Sequence, residues 1–294
     1  MWDADFYRHV TATEMKDQLL SVCKQTGADL LKLENVPETW HGRCHPLVFE
    51  GAAPSPSPVF ARSLPADFGQ LFNETHSKSA RKNLLRKERH LQSAGGYSVA
   101  KAVDKADKQR AFDAFLQQRA VRAKAAGIPN VFSQAPAREF LSGVLGLGES
   151  EDTQVRDLHP LELWYLEADG QIRATYLCAE HGKTLYAYSN SVAHDDMLPN
   201  SPGLVLIKEI IERACAAPDI SVLDLGLGEE RYKTDWAEPV LLMDNLVAIT
   251  WKGALRLRLE AGRLKAKTHV RNSATLWPLI RRLRKWKAGI GRHG

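Results

Sequence analysis

The alternation of apolar and polar residues is most regular between residues 161 and 192. Three runs there have the length and composition of β-strands: LELWYLEA (161–168), QIRATYLCAEH (171–181) and KTLYAYSNSV (183–192). Short turns that contain Asp169-Gly170 and His181-Gly182 separate them. Turns this short join neighbouring antiparallel strands, so the pattern predicts an antiparallel meander.

The segment that follows the meander changes to helical spacing. After the loop AHDDMLPNS, residues 202–214 predict an amphipathic helix, with Leu204, Ile207 and Ile211 on one face and Lys208, Glu209, Glu212 and Arg213 on the other. The apolar run ISVLDLG (220–226) predicts a buried strand, parallel to its neighbour. EERYKTDW (229–236) predicts a helix or turn, and VLLMDNLVAIT (240–250) a last strand of the same sheet. Together these elements predict an α/β mixed fold, in which a mixed antiparallel/parallel sheet is flanked by helices.

Further helices precede the meander. The pattern predicts helices at residues 13–26, 77–93, 106–126 and 135–148, strands at 28–36 and 97–103, and a loop at 52–58. Ser77 is suited to cap the second of these helices, and Gly127 to end the third. The helix at 77–93 is strongly cationic, with six Lys or Arg and one acid.

The net charge of +5 conceals an uneven distribution of charge. From Lys252 onward the chain has thirteen Lys or Arg and one acid, Glu260, so residues 252–294 carry +12 and the rest carries −7. We expect this basic tail to bind an anionic membrane surface or an acidic partner. Its segment TLWPLIRRLRKWKAGI has the composition of an interfacial amphipathic helix. The alternative is a helix packed on the acidic surface of the body.

Several classes of protein are disfavoured by the sequence. It has no apolar run long enough to cross a membrane and no apolar segment of a signal peptide at its start. The four cysteines, Cys23, Cys44, Cys178 and Cys215, form no close pair, so we expect reduced thiols and no metal site. These features predict a cytoplasmic protein. If the basic tail binds a membrane, the protein would be attached peripherally to the inner membrane.

The start of the helix at 202–214 is a candidate anion site. Ser201 is suited to the N-cap position and Pro202 to the first helical position. Gly203 would let a ligand approach the backbone closely. The amides of Gly203, Leu204 and Val205 would then face an anion, since helix N-termini favour negative charge.

Candidate catalytic residues follow the predicted parallel strand. The run Asp224-Leu225-Gly226-Leu227-Gly228 ends that strand but does not match a dinucleotide-binding motif, which argues against a Rossmann site. Tyr232 and Lys233 come directly afterwards, where a tyrosine could donate a proton and a lysine could stabilise developing negative charge. In the loop before the helix, His194, Asp195 and Asp196 are candidates for deprotonating an acceptor, and Asp195 is the one we select.

These segments, in this order, resemble a known family. SKSARKNLLRKERHL (77–91), the helix around residues 112–119, APAREFL (135–141), SPGLVLIKEIIERA (201–214) and LDLGLGEERYKTDWA (223–237) carry the resemblance. They are similar to the CelD-type acetyltransferases associated with bacterial cellulose and exopolysaccharide synthesis, a branch of the GNAT superfamily related to the Fem-type aminoacyltransferases.

The resemblance implies a GNAT-like acyl-CoA N-acyltransferase fold and a direct attack on a thioester. It places the pyrophosphate of acyl-CoA, acetyl-CoA above all, at Ser201, Gly203, Leu204 and Val205, and the family's Tyr-Lys pair at Tyr232 and Lys233. In place of the superfamily's usual Gln/Arg-x-x-Gly-x-Gly/Ala loop, this chain has Asn200-Ser201-Pro202-Gly203.

The domain organisation expected from these observations has three parts: a partial GNAT-like half at 1–63, a GNAT domain at 64–251 and the basic tail at 252–294. The expected reaction moves an acyl group from acyl-CoA to an amine or hydroxyl of a small-molecule or saccharide acceptor. Two alternatives stay open. One is a Fem-like transferase that uses aminoacyl-tRNA, in which the basic helix and tail hold RNA. The other is a catalytically degenerate scaffold.

Overall fold

A computed structural model describes residues 9–40, 42–148 and 161–272 of the chain. The predicted amphipathic segment TLWPLIRRLRKWKAGI lies outside these residues. The helices are α1 Ala12–Gln25, α2 Phe68–Thr75, α3 Lys78–Ser93, α4 Lys105–Ala126, α5 Ala135–Val144, α6 Pro202–Ala216, α7 Arg231–Trp236 and α8 Trp251–Asn272. The strands are β1 Leu30–Pro37, β2 Thr39–Trp40, β3 Arg43–Cys44, β4 Ala53–Pro54, β5 Val59–Ser63, β6 Tyr97–Lys101, β7 Glu162–Ala168, β8 Gln171–His181, β9 Thr184–Val192, β10 Val222–Leu227, β11 Glu238–Val240 and β12 Leu242–Ala248.

Contacts divide the described chain into two compact units. One contains the described residues up to Val59 together with those from Pro239 onward, and the other contains Phe60–Glu238. The sequence suggested consecutive segments with boundaries after residues 63 and 251. The first unit combines two stretches that are far apart in sequence.

The first unit is built on a small antiparallel sheet with the strand order β1-β12-β4. Strand β12 pairs with β1 from Leu30↔Ala248 to Pro37↔Leu242. Helix α1 covers one face, where Met15, Leu31 and Phe49 form a buried cluster. The prediction that VLLMDNLVAIT closes the same sheet as the meander is therefore wrong. Its apolar pattern correctly indicated a strand, but a local pattern does not specify a partner two hundred residues away.

The second unit carries the mixed sheet, in the strand order β11-β5-β10-β9-β8-β7-β6. Strands β6 to β9 are antiparallel neighbours, and β10 pairs with β9 in parallel. The predicted meander, the helix that follows it and the parallel strand are all confirmed. The α/β mixed fold class is confirmed with them.

Helices cover both faces of this sheet. On one face, buried residues of α2, α3 and α6, among them Ile207 and Ile211, share a cluster with β8, β9 and β10. On the other face, Phe112 and Phe115 of α4 and Leu141 of α5 pack on β7 and β8. Each helix buries an apolar stripe in this arrangement, which fixes the sheet between two layers.

The charged face predicted for α6 is not fully exposed to solvent, because Lys208 on that face is buried. Its side chain is buried, and its Nζ lies 3.0 Å from Glu212, 3.1 Å from Glu209 and 3.4 Å from Glu88. Glu88 belongs to α3, so this helix covers part of the face that the sequence predicted to be solvated. The buried ammonium is stabilised by carboxylates from two helices, which helps to hold α3 against α6.

Candidate active site

An opening between β9 and β10 defines the candidate site. The two strands pair only from Val222↔Thr184 to Asp224↔Tyr186, although β9 continues to Val192. Asp224 accepts a hydrogen bond of 2.7 Å from the amide of Gly226, and Gly226 adopts a φ of 75°. That left-handed conformation suits glycine and turns the backbone away from β9. The Asp-Leu-Gly sequence therefore ends the pairing and leaves a cleft.

A cavity of about 290 Å³ occupies this cleft. Side chains from three regions line it: Tyr176 and Asn190 from the sheet, His194 from the following loop, and Tyr232 from α7. Gly203 and Leu204 at the start of α6 complete one wall. The cavity thus brings the predicted helix start and the predicted tyrosine into one site.

Tyr232 lies at the centre of a small polar network. Its hydroxyl is 2.8 Å from that of Tyr176 and accepts a hydrogen bond of 3.1 Å from the amide of Asn190. Burial raises the pKa of Tyr232 to about 12. The phenol is therefore protonated at neutral pH. Asn190 donates to its oxygen, and either hydroxyl of the Tyr176–Tyr232 pair can be the donor, so the Tyr232 proton is free for another acceptor when Tyr176 donates.

Lys233, the second predicted catalytic residue, has a different environment. Its buried ammonium donates to the backbone carbonyls of Leu227 at 2.8 Å and Gly226 at 3.3 Å. Burial lowers the pKa of Lys233. The side chain thus ties α7 to the end of β10 and points at backbone oxygens, while its neighbour Tyr232 faces the cavity.

Asp195, the predicted base, forms an ion pair. Its Oδ2 lies 2.8 Å from Arg173, whose guanidinium is almost fully buried, and its Oδ1 accepts from the amide of Met197. Both carboxylate oxygens are therefore engaged in holding the loop. Of the three candidate bases His194, Asp195 and Asp196, it is His194 whose side chain lines the cavity.

The start of α6 differs from the predicted cap. Ser201 has a left-handed φ of 51° and makes no side-chain cap; its Oγ accepts a hydrogen bond of 2.8 Å from Lys87 instead. The amides of Leu204 and Val205 donate to the carbonyl of Ser201 at 2.9 and 3.3 Å. Ser201 therefore occupies the predicted N-cap position, but its side chain bonds to Lys87 and not to a helix amide. Three amides were predicted to face an anion, and two of them, those of Leu204 and Val205, are already used in hydrogen bonds to Ser201.

Gly203 has a packing role that the sequence did not reveal. A Cβ on this residue would lie 2.8 Å from Cγ2 of Val192. Such a distance is too short for two carbon atoms, so the absent side chain lets α6 begin close against β9. The glycine therefore sets the width of the cleft at this end.

Lys87 is a site residue that sequence reasoning missed. It comes from the basic helix α3, and its ammonium reaches Ser201 at the N-terminus of α6. A cation beside the positive end of a helix dipole creates a local field that favours an anion. The composition of α3 showed many cations, but nothing local in the sequence indicated which of them faces the site.

A second cavity adjoins the first. It has a volume of about 440 Å³, and Lys87 and Arg231 line it. Leu204 and Tyr232 line both cavities, so these two residues mark the place where they meet. The cleft is thus accessible from two sides, with Lys87 and Arg231 on one side and His194 on the other.

The part of the chain that the structure describes contains neither a metal-binding cluster nor a membrane-spanning helix. No cluster of three or more His, Cys, Asp or Glu residues there could hold a metal ion. Among the same residues, no helix has the length and apolarity needed to cross a membrane.

Comparison with solved structures shows the fold. FemX is similar with a TM-score of 0.53 at 9% identity, over 80% of this chain and 76% of FemX. The C-terminal domain of a putative lysylphosphatidylglycerol synthetase from Agrobacterium fabrum matches at a TM-score of 0.45 and 11% identity, over 84% of this chain and 75% of that one. A GCN5-related N-acetyltransferase from Kribbella flavida matches at 0.39 and 14% identity, over 81% and 76%.

Comparison with protein families identifies the site-bearing unit. No curated protein matches the sequence. The profile of the acetyltransferase (GNAT) domain matches residues 78–234, which is more than half of the chain and includes α3, the meander, the cleft and Tyr232. The chain therefore belongs to the acetyltransferase (GNAT) domain family.

Proposed function

We propose that this protein transfers an acyl group from an acyl-CoA thioester, acetyl-CoA above all, to an amine or hydroxyl acceptor. The observation that carries the proposal is the position of Tyr232. Its protonated hydroxyl lies in a cleft between two diverging strands, beside a helix N-terminus that a lysine approaches. An acid next to an anion-favouring helix start is what transfer from a phosphate-bearing thioester requires.

The residues of the cleft fit such a donor. We assign the pyrophosphate of acyl-CoA to the start of α6, where the Gly203 amide and the Lys87 ammonium would bind it. Acyl-CoA supplies the activated acyl group as a thioester. Lys87 compensates for the Leu204 and Val205 amides that are engaged with Ser201. A lysine suits this role because it binds phosphate as a compact charge.

The proton transfers follow from the arrangement of the side chains. When the acceptor nitrogen or oxygen attacks the thioester carbonyl, a C–N or C–O bond forms and the C–S bond breaks. The acceptor loses a proton, and we assign its uptake to His194, because its side chain lines the cavity and a neutral imidazole has a nitrogen that can accept a proton. Tyr232 donates its proton to the leaving sulfur. Lys233 and Asp195 have positioning roles in this assignment. Lys233 ties α7, which carries Tyr232, to the end of β10. Asp195 holds the loop that carries His194.

The acceptor is proposed from the resemblance rather than from the cleft. The similarity to CelD-type acetyltransferases supports a saccharide or another cell-envelope precursor as acceptor. In the cavity, Arg122 and Glu230 provide polar groups of both signs, 4.0 Å apart. Such a pair suits an acceptor with several hydroxyl or amino groups.

The test uses the purified full chain with a series of acyl-CoAs and acceptors. Release of free thiol and the mass of the acylated product are measured together, so that hydrolysis is separated from transfer. Tyr232→Phe should lose turnover, while the matched control Tyr188→Phe, an exposed tyrosine on β9, should retain it. Equal turnover in both variants would contradict the assignment of the site.

A second candidate function is favoured by α3. Lys87 of this helix borders the cleft, and its Lys82 and Arg89 line a separate surface pocket. Together these cations could bind the phosphates of an RNA. The donor would then be aminoacyl-tRNA. Consumption of aminoacyl-tRNA in a strongly salt-dependent manner, without use of acyl-CoA, would favour this alternative. Failure to bind or consume either donor would indicate a scaffold without activity.

A further inference from the structure

Helix α8 of the first unit exposes a row of large apolar side chains. Trp251, Leu255 and Leu259 are 73%, 51% and 56% exposed. Their spacing of four residues places them along one side of the helix, and we call them the apolar stripe. Single exposed apolar residues are common on protein surfaces, but a row with a tryptophan at its end is typical of an interaction site.

The opposite side of α8 is fixed to its own unit. Gly253 is buried, and a Cβ there would overlap the carbonyl oxygen of Asp29 at 1.8 Å. Further along, Glu260 lies 3.6 Å from Lys32 of β1. The helix therefore packs through its glycine side, and the apolar stripe faces outward.

Cations flank the apolar stripe on both sides. Lys252, Arg256 and Arg258 are exposed, and Lys252 lies 5.9 Å from the centre of the Trp251 ring. At 100° per residue, Arg258 lies on one side of the stripe and the other two on the opposite side. Glu260 is the one acid from residue 252 onward, and it faces Lys32. The exposed side of the helix thus combines apolar side chains with positive charge alone.

We propose that this side of α8 binds the surface of an anionic lipid bilayer. The helix would lie in the plane of the interface, with the apolar stripe at the boundary between headgroups and acyl chains and the cations at the headgroups. An RNA would use the cations but offers no environment for two leucines. A second copy of this chain would bring like charges together across a symmetric contact. The proposal does not depend on the acyltransfer reaction.

The experiment is vesicle flotation with the full chain at low and high salt. The vesicles contain phosphatidylcholine either alone or mixed with phosphatidylglycerol. The wild-type chain should float with the anionic vesicles at low salt. Changing the apolar stripe by Trp251→Gln, Leu255→Gln and Leu259→Gln together should reduce binding by roughly tenfold or more.

A second variant tests the charge. Lys252→Gln, Arg256→Gln and Arg258→Gln together should reduce binding to anionic vesicles by roughly a hundredfold at low salt, about fivefold for each cation. The matched control changes three comparably exposed apolar residues of the other unit, Val103→Gln, Val131→Gln and Phe140→Gln, and should float like the wild type. Circular dichroism confirms that each variant is folded.

A third measurement follows the stripe itself. Brominated lipids should quench tryptophan fluorescence of the wild type more than that of Trp251→Phe, which keeps an apolar ring at this position. Three results would overturn the proposal. These are no flotation of the wild type, equal flotation with neutral and anionic vesicles, and wild-type flotation of the stripe variant. The last result would assign binding to another segment, and salt-sensitive RNA binding without flotation would identify RNA as the partner.

Discussion

Replacing Tyr232 by phenylalanine removes one oxygen atom and retains the aromatic ring. The lost hydroxyl is 2.8 Å from Tyr176 and 3.1 Å from the amide of Asn190. Each neutral hydrogen bond contributes about 1 kcal/mol net to stability. Both partners border a cavity of about 290 Å³, which has room for a water molecule to replace the hydroxyl. We therefore expect Tyr232→Phe to lower the free energy of unfolding by only about 1 kcal/mol.

The effect on catalysis should be larger. Loss of a general acid typically lowers the rate by roughly 10² to 10⁴, which corresponds to about 3 to 5 kcal/mol in the barrier. The assay measures kcat and KM for the acyl-CoA by thiol release, and CoA affinity by calorimetry. We expect kcat to fall by that factor while CoA affinity changes by less than about twofold, because Tyr232 acts on the leaving sulfur.

The choice of thioester separates proton donation from general damage to the site. A thioester whose thiol is a stronger acid needs less protonation as it leaves. The difference in kcat between the wild type and Tyr232→Phe should therefore shrink with such a donor. Unchanged kcat in the variant, or a defect of equal size with every thioester, would refute the assignment of Tyr232 as the acid.

Three further predictions concern the surroundings of the cleft. Lys233→Met should lower the free energy of unfolding by about 1 to 3 kcal/mol, because the carbonyls of Gly226 and Leu227 lose the donor that the buried lysine provides, and chemical denaturation measures this. Gly203→Ala should destabilise the chain and weaken CoA binding because its Cβ meets Val192, and Val192→Ala should restore much of both in calorimetry and thermal melts. Burial lowers the pKa of His76 from its ordinary 6.5, so as the pH falls through that value the unfolded chain binds the proton first and stability decreases. His76→Gln should flatten this decline in denaturation curves recorded between neutral and acidic pH, whereas the exposed His90→Gln should leave it unchanged.

The elements of the second unit could be predicted because their signals are local. Period-two runs with two-residue turns between them indicated β7 to β9, and a proline at the first helical position indicated α6. The strand end at Gly226 was likewise visible in the sequence, since two glycines after an apolar run permit a sharp exit. The position of Tyr232 at this exit followed from the same pattern.

What could not be predicted depends on contacts distant in sequence. Lys87 meets Ser201 across more than one hundred residues, and β12 pairs with β1 across two hundred. The burial of Lys208 likewise depends on α3, which covers the charged side of α6. The pattern of apolar and charged residues indicates which side of a segment is buried. It does not indicate which distant segment packs against that side.

Asp195 pairs with the buried Arg173 and does not line the cleft cavity as a base would. Acidic loop residues are usually solvated or functional, and the sequence contains no sign that Arg173 lies beneath this loop. In the structure that arginine is buried and needs a carboxylate within contact distance. The loop therefore uses Asp195 for its own position and leaves His194 facing the cavity.

The central claim is that the cleft between β9 and β10 holds the thioester beside Tyr232. The measurement that tests it most directly is the crystal structure of the chain with bound CoA or a non-hydrolysable acyl-CoA analogue. We predict that the sulfur lies within hydrogen-bonding distance of the Tyr232 hydroxyl, with the pyrophosphate at Gly203 and Lys87. A sulfur bound outside this cleft, or no CoA density in it at saturating concentration, would contradict the account.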